Sequence, residues 1–167
     1  MTTASAGFDA RGFRDALGCF PTGVTVVTAL RASGAFVGVT VSSFNALSLE
    51  PPLVLWSLST ASPSLEAFAQ ASHFAVNILA EEQVDISRRF ATSAPHKFAR
   101  LEVHEGIGGV PLLGGCAAYL ECRAYAQHSG GDHVLFIGHV ERYACDRTRR
   151  PLVFARGRYV ATGAEIR

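Results

Sequence analysis

Three groups of side chains in this chain have the types and spacing to hold or alter a polar ligand. The first is the run Thr40, Ser42, Ser43, Asn45 and Ser48 within residues 36–57. These residues offer hydrogen-bonding groups without bulk or charge. Small hydroxyls beside exposed backbone amides can grip a phosphate or the edge of a heterocycle. The same residue types are common in plain turns and caps, so composition alone leaves both readings open. The second group is Arg88, Arg89, Lys97 and Arg100, which could meet a phosphate as charge-assisted donors. A helix end attracts cations in any case, so a solvated helix terminus is the alternative. The third is Gly130-Gly131-Asp132-His133, an imidazole just past a glycine turn with a carboxylate beside it. It could stack on a ring, donate a hydrogen bond or carry a proton, or it could simply begin a strand.

Other chemistries find no support. No G-x-S-x-G elbow presents a nucleophilic serine, and Cys19 has no evident base. No G-x-G-x-x-G opens a helix after a strand, so any nucleotide is not held in the Rossmann manner. Cys19, Cys116, Cys122 and Cys145 form no C-x-x-C and no zinc spacing, which points to reduced, inert thiols. Cys116 and Cys122, an even number apart, face the same way if they share a strand. His133 and His139 lie too far apart along one strand for a single metal ion. His73, His96, His104 and His128 are scattered, and no metal site is expected.

The elements that must position these groups follow from pattern. Asp9 followed by Phe13, Leu17 and Phe20 predicts a short amphipathic helix over residues 9–19, ended by Pro21. Residues 22–30 are dense in β-branched side chains and read as a strand. Ser33-Gly34 turns the chain into a second strand over 35–41, where Val37, Val39 and Val41 alternate with Gly38 and Thr40. Residues 53–58 form a core strand after Pro51-Pro52. Ser62-Pro63 predicts a helix start with proline at the first helical position. Residues 73–79 read as a strand and 81–91 as a helix with acids first and Arg88-Arg89 near its end. Residues 93–115 read as a long irregular loop, 117–126 and 133–145 as strands, and 151–163 as a short strand with a tail. Hairpins with few long helices favour a mainly β fold, an antiparallel barrel with peripheral short helices, in one domain over 1–167.

Composition sets further bounds. Apolar residues are 49% and charged residues 17% of the 167, an excess of apolar surface that predicts a homodimer. The net charge is +1 with no long basic block, which argues against nucleic acid as partner. No membrane span and no signal peptide are evident, so a cytoplasmic location is expected.

Six motifs in order then carry a resemblance over residues 13–159. They are FPTGVTVVT (20–28), GVTVSSFNALSLEPPLVLWSLS (38–59), FAVNIL (74–79), SRRFA (87–91), GGDH (130–133) and RGRY (156–159). The chain resembles the flavin reductase-like family of FMN-binding split barrels, whose members supply reduced flavin to two-component monooxygenases. The resemblance implies a Greek-key split β-barrel, normally a homodimer, using FMN or FAD with NADH or NADPH and meeting a partner monooxygenase transiently. By matched position it implies that Thr40, Ser42 and Ser43 line the flavin ring and ribityl region. Ser57, Ser59, Ser62 and Ser64 match contacts to the ribityl chain or phosphate. Arg89, Phe90 and Lys97 match residues near the phosphate, His133 the position associated with nicotinamide, and Arg156 and Tyr159 the C-terminal motif. The implied function is hydride transfer from NAD(P)H to flavin. The alternatives are a flavin- or haem-binding barrel, with His73 or His96 on iron, and a flavoenzyme that keeps FMN and acts on an organic substrate.

Overall fold

The computed structural model describes residues 8–163. Asp9 caps the first helix, α1 (Ala10–Leu17), by accepting the N–H groups of Arg11 and Gly12, each at 3.0 Å. The chain then runs through β1 (Thr22–Gly23), β2 (Thr25–Leu30), β3 (Phe36–Val41), β4 (Asn45–Leu49) and β5 (Pro52–Ser59). Next come α2 (Leu65–Gln70), β6 (His73–Ile78), a 3-10 turn at Glu81–Gln83, and α3 (Val84–Phe90). It ends with β7 (Val103–Glu105), β8 (Pro111–Leu113), β9 (Ala118–Gly130), β10 (His133–Cys145), β11 (Val153–Ala155) and β12 (Arg158–Val160). No described helix is long and apolar enough to cross a membrane.

Seven strands pair antiparallel in the order β3-β2-β6-β9-β10-β5-β4. The two ends of that order, β3 and β4, are consecutive in the chain. A flat sheet at about 4.8 Å per strand would hold them about 29 Å apart. The chain from Val41 to Asn45 reaches about 14 Å at most. The sheet must therefore curl until its edges meet, which makes it a barrel. β1, β11 and β12 form a separate three-stranded sheet, and β7 and β8 a short hairpin.

Trp56 is fully buried in the barrel core, stacked on Phe136 at 4.6 Å and met edge-on by Phe68 at 5.0 Å and Phe74 at 5.8 Å. β2 is buried on both faces. Val27 and Ala29 enter this core, while Val26 enters a second one with Leu79, Phe90, Leu113 and Leu152. That double cover is why TVVTAL lacks period-2 alternation. Buried Asn77 reconciles the two cores by donating to the Val26 carbonyl at 2.9 Å and Thr28 Oγ1 at 3.1 Å, and by accepting the Leu113 N–H at 2.8 Å. Gly138 sits at a register shift in β10, where a Cβ would overlap the Phe74 ring and come within 2.9 Å of the Cys122 Cβ.

Beside the bulge that follows, Glu121 is buried and takes both prongs of Arg142 at 2.6 Å and the Ile107 N–H at 2.7 Å. Burial alone raises this carboxyl's pKa, but these partners outweigh it and hold the pKa low.

Several expected boundaries shift for physical reasons. β4 lies inside what reads as a polar loop. It is an edge strand with exposed side chains, so no buried face marks it. α2 begins at Leu65, because turns closed by Ser59 and Ser62 carbonyls place Pro63 before the helix. Within 93–115 the β7–β8 hairpin pairs around a glycine turn, with Gly108 and Gly109 at positive φ. The C-terminal segment is not a tail but the β11–β12 hairpin, turned at Arg156 (φ 48°) and Gly157 (φ 75°). Cys116 precedes β9 and does not share a strand with Cys122.

Candidate functional site

The barrel's edges meet without zipping together. β4 pairs with β5 only over residues 52–55, and β3 pairs only with β2. The outer end of β5 and the free edge of β3 therefore face a gap. Ser43, in the connection between β3 and β4, bridges it. Its Oγ donates to the Ser57 carbonyl at 3.0 Å and accepts the Ser57 N–H at 2.9 Å. One side chain thus makes the two bonds that a neighbouring strand residue would make.

A cavity of about 920 Å³ fills the gap. Residues 36–39 of β3 form one wall, Ser59 and the turn 61–64 another, and residues 90–99 the roof. None of its described lining residues carries a carboxylate, whereas Arg31, His96 and Lys97 all line it. The field inside therefore favours an anion. Lys97 Nζ donates to the Gly38 carbonyl at 3.3 Å and the Phe90 carbonyl at 3.2 Å, and it lies 5.9 Å from the Phe90 ring centroid. Burial lowers its pKa. An ammonium has three donors, so one remains for a ligand. Gly38 makes this possible. A Cβ there would lie 2.6 Å from the Phe90 ring, so glycine lets the ring rest directly on β3.

A second cavity, about 850 Å³, lies between Arg14, Leu17 and Phe20 on one side and Ser42, Ser43, Phe154 and Arg156 on the other. The expected site residues divide between the two. Ser59, Ser62, Ser64, Phe90 and Lys97 line the first cavity, and Ser42, Ser43 and Arg156 the second. Ser57 sits at the staple between them. Thr40 and Tyr159 line neither. They meet instead through Ser87, which is fully buried. Thr40 Oγ1 donates to the Ser87 carbonyl at 2.6 Å, and Ser87 Oγ lies 2.9 Å from the Tyr159 hydroxyl. Arg89 points to the roof loop and donates to the Ala99 carbonyl at 3.1 Å.

His133 opens β10 directly beside Ser59 of β5, at the rim of the first cavity. Its Nδ1 lies 2.7 Å from the Asp132 carboxylate. The hydrogen bond and charge of His133 hold the Asp132 pKa low. Gly131, at φ 64°, makes the tight turn that puts this pair on the rim. His73 is engaged elsewhere, with Ser72 Oγ at 3.0 Å and Glu141 at 3.6 Å. The residues matched to the flavin site do not include Arg31, Phe36 or Phe98, nor Ser87 of the SRRFA motif, and His96 is named only as a candidate iron ligand. A signal for Phe36 existed in the period-2 spacing of Phe36, Gly38 and Thr40, which puts all three on one face.

A family model described as "Flavin reductase like domain" matches residues 17–163. The chain is 44% identical over 153 residues to FMN reductase (NADH) SmoA of Agrobacterium fabrum, covering 92% of this chain and 86% of that protein. It is 43% identical over 162 residues to the reductase subunit HsaB of a flavin-dependent monooxygenase of Rhodococcus jostii, covering 97% and 82%. Among solved structures it resembles the NADH:FAD oxidoreductase SgcE6 of Streptomyces globisporus, in complex with NAD and FAD fragments. The TM-score is 0.88 and the identity 33%, over 93% of both chains.

Removing the Ser43 hydroxyl should loosen the gap. Ser43→Ala is expected to lower unfolding stability by about 1–2 kcal/mol, since two backbone groups lose a partner near the surface. Urea denaturation measures this, and Ser43→Thr, which keeps the hydroxyl, should recover most of it.

Proposed function

The chain belongs to the flavin reductase-like domain family, and from that membership we propose that it works as an NADH-dependent flavin reductase with its flavin in the gap between β3 and β5. It is an oxidoreductase that uses a nicotinamide and a flavin, and it serves as the reductase component for a partner monooxygenase. The observation that carries the assignment of the site is the carboxylate-free cavity with one spare Lys97 donor. That chemistry fits a flavin phosphate, and free strand edges fit the hydrogen-bonding rim of a flavin ring. When bound, the flavin supplies the hydride-accepting ring.

The chain's own residues bind and orient. Lys97 offers a single charge-assisted donor to phosphate, with Ser59, Ser62 and Ser64 on the facing wall. Arg89 braces the roof, and Phe90 excludes water beneath it. Ser42 and Ser43 line the second cavity with Arg156, Ser57 is held by Ser43, and Thr40 supports the wall from behind through Ser87. Tyr159, tied to Ser87, anchors the hairpin that carries Arg156. His133 is the residue this reading assigns to nicotinamide. Asp132 takes Nδ1 and fixes the ring, while Nε2 has no partner among the described residues. No nucleophile is needed, and burial pushes the thiols of Cys116 and Cys122 up to about 11 and about 12. A site that offers mostly hydroxyls and few cations holds flavin moderately, which suits release to a second enzyme.

The protein acts as a homodimer in this reading. Phe8, Phe13, Leu17 and Phe20 cluster around α1, and Leu49 is 93% exposed on edge strand β4. A second copy covers these faces. The four unpaired cysteines support a reducing, cytoplasmic setting.

NADH oxidation should depend strictly on added FMN or FAD, and absence of turnover with both flavins and both nicotinamides would sink the assignment. His133→Ala should raise the nicotinamide KM about tenfold, the loss of one good contact, and leave flavin affinity within twofold. Unchanged kinetics would remove His133 from the site. Sedimentation should give twice the 17.8 kDa chain mass. A monomer at micromolar concentration would refute the dimer.

A further inference from the structure

The first cavity does not end at Lys97. Followed along β3 toward the β2–β3 turn, its wall passes from Gly38 to Phe36 and on to Arg31. Phe36 is an aromatic side chain left 46% exposed. Its ring is nevertheless held in place. It meets Phe98 edge-on at 5.4 Å, and Phe98 meets Phe90 edge-on at 4.9 Å. A ring pinned on one edge and open elsewhere is a stacking platform, and any base can use it because every base has a π-face. Arg31 lines the same end and has no carboxylate partner among the described residues. Its planar cation suits both phosphate and the face of a base.

Strand geometry sets the reach between these parts. Gly38 and Phe36 lie on the same face of β3, two residues and about 6.6 Å apart. Gly38 is where Lys97 is anchored. With the FAD pyrophosphate at Lys97, its adenosine-side phosphate and a purine against Phe36 are then separated by about one pentose, the spacing inside a single nucleotide. FMN ends at its phosphate and would leave this end of the cavity to water. A flavin extended by an adenine nucleotide would fill it.

We propose that Phe36 and Arg31 form a shelf for the adenine nucleotide half of FAD, so that this chain holds FAD more tightly than FMN. The proposal rests on the flavin reading of the cavity given above. It adds a specificity determinant that neither the hydroxyl run nor the basic cluster supplies.

Titration calorimetry with FMN, FAD and AMP, paired with steady-state reduction of both flavins, tests it. Wild-type protein should bind FAD at least about fivefold more tightly than FMN, and AMP should compete with FAD. Phe36→Leu keeps an apolar group against Phe98 but removes the π-face. It should weaken FAD about tenfold, the scale of one lost base–aromatic stack, and leave FMN within twofold. Phe36→Trp should restore FAD binding, and Arg31→Gln should weaken FAD and AMP but not FMN. Equal weakening of both flavins by Phe36→Leu would overturn the shelf, as would an unchanged FAD affinity or a wild type that prefers FMN. The two readings fail differently. A wild type that binds and reduces neither flavin removes the reductase assignment itself. Normal FMN reduction with no effect of Phe36 on FAD removes only the shelf.

Discussion

A hydroxyl stands where a strand would otherwise be. Ser43 exchanges two hydrogen bonds with the backbone of Ser57, and these bonds hold β3 and β5 near one another without letting them pair. Full pairing would seal the barrel and consume the backbone groups on both edges. With no bridge, the edges would splay and a pair of unprotected strands would invite association with other chains. The single side chain selects the state between. The gap it maintains is wide enough to be a cavity and narrow enough to be walled on both sides.

The rest of the site is built onto that gap by removal as much as by addition. Gly38 has no side chain, so Phe90 can lie on β3 and bring the 90–99 roof down with it. Lys97 then reaches the Gly38 and Phe90 carbonyls together, which fixes its charge over the opening. Behind this, buried Ser87 joins α3 to Thr40 on one side and to Tyr159 on the other. Strand, helix and C-terminal hairpin are thus tied at one residue with no exposed surface. The two cavities share no lining residue, but they share this support.

Most of the fold was legible because its determinants are local. Period-2 alternation marked β3, and β-branched density marked β2. The Gly131-Asp132 turn fixed where β9 gives way to β10. β4 escaped notice because an edge strand with both faces exposed has no burial pattern to leave in the sequence. The C-terminal hairpin escaped because arginine holds the first of its two left-handed turn positions, ahead of Gly157, where asparagine or aspartate is the usual signal. For the site, the resemblance named Lys97, Ser59 and His133, and the structure brings these three to one cavity and its rim. The resemblance could not show that the Thr40 hydroxyl is turned to the Ser87 carbonyl. Nor could it reveal Phe36, whose importance depends on which neighbours leave its ring uncovered.

The walls of the first cavity come from three stretches that lie far apart in the chain: 36–39, 59–64 and 90–99. The barrel that sets them around one space is completed by pairing β2 with β6, β6 with β9, β9 with β10 and β10 with β5. Contacts of such wide sequence separation form slowly, because loop-closure entropy is lost before they contribute. The binding site is therefore a late product of folding. A nascent or partly assembled chain has the residues but no pocket, so ligand capture coincides with completion of the barrel and draws the folding equilibrium toward it.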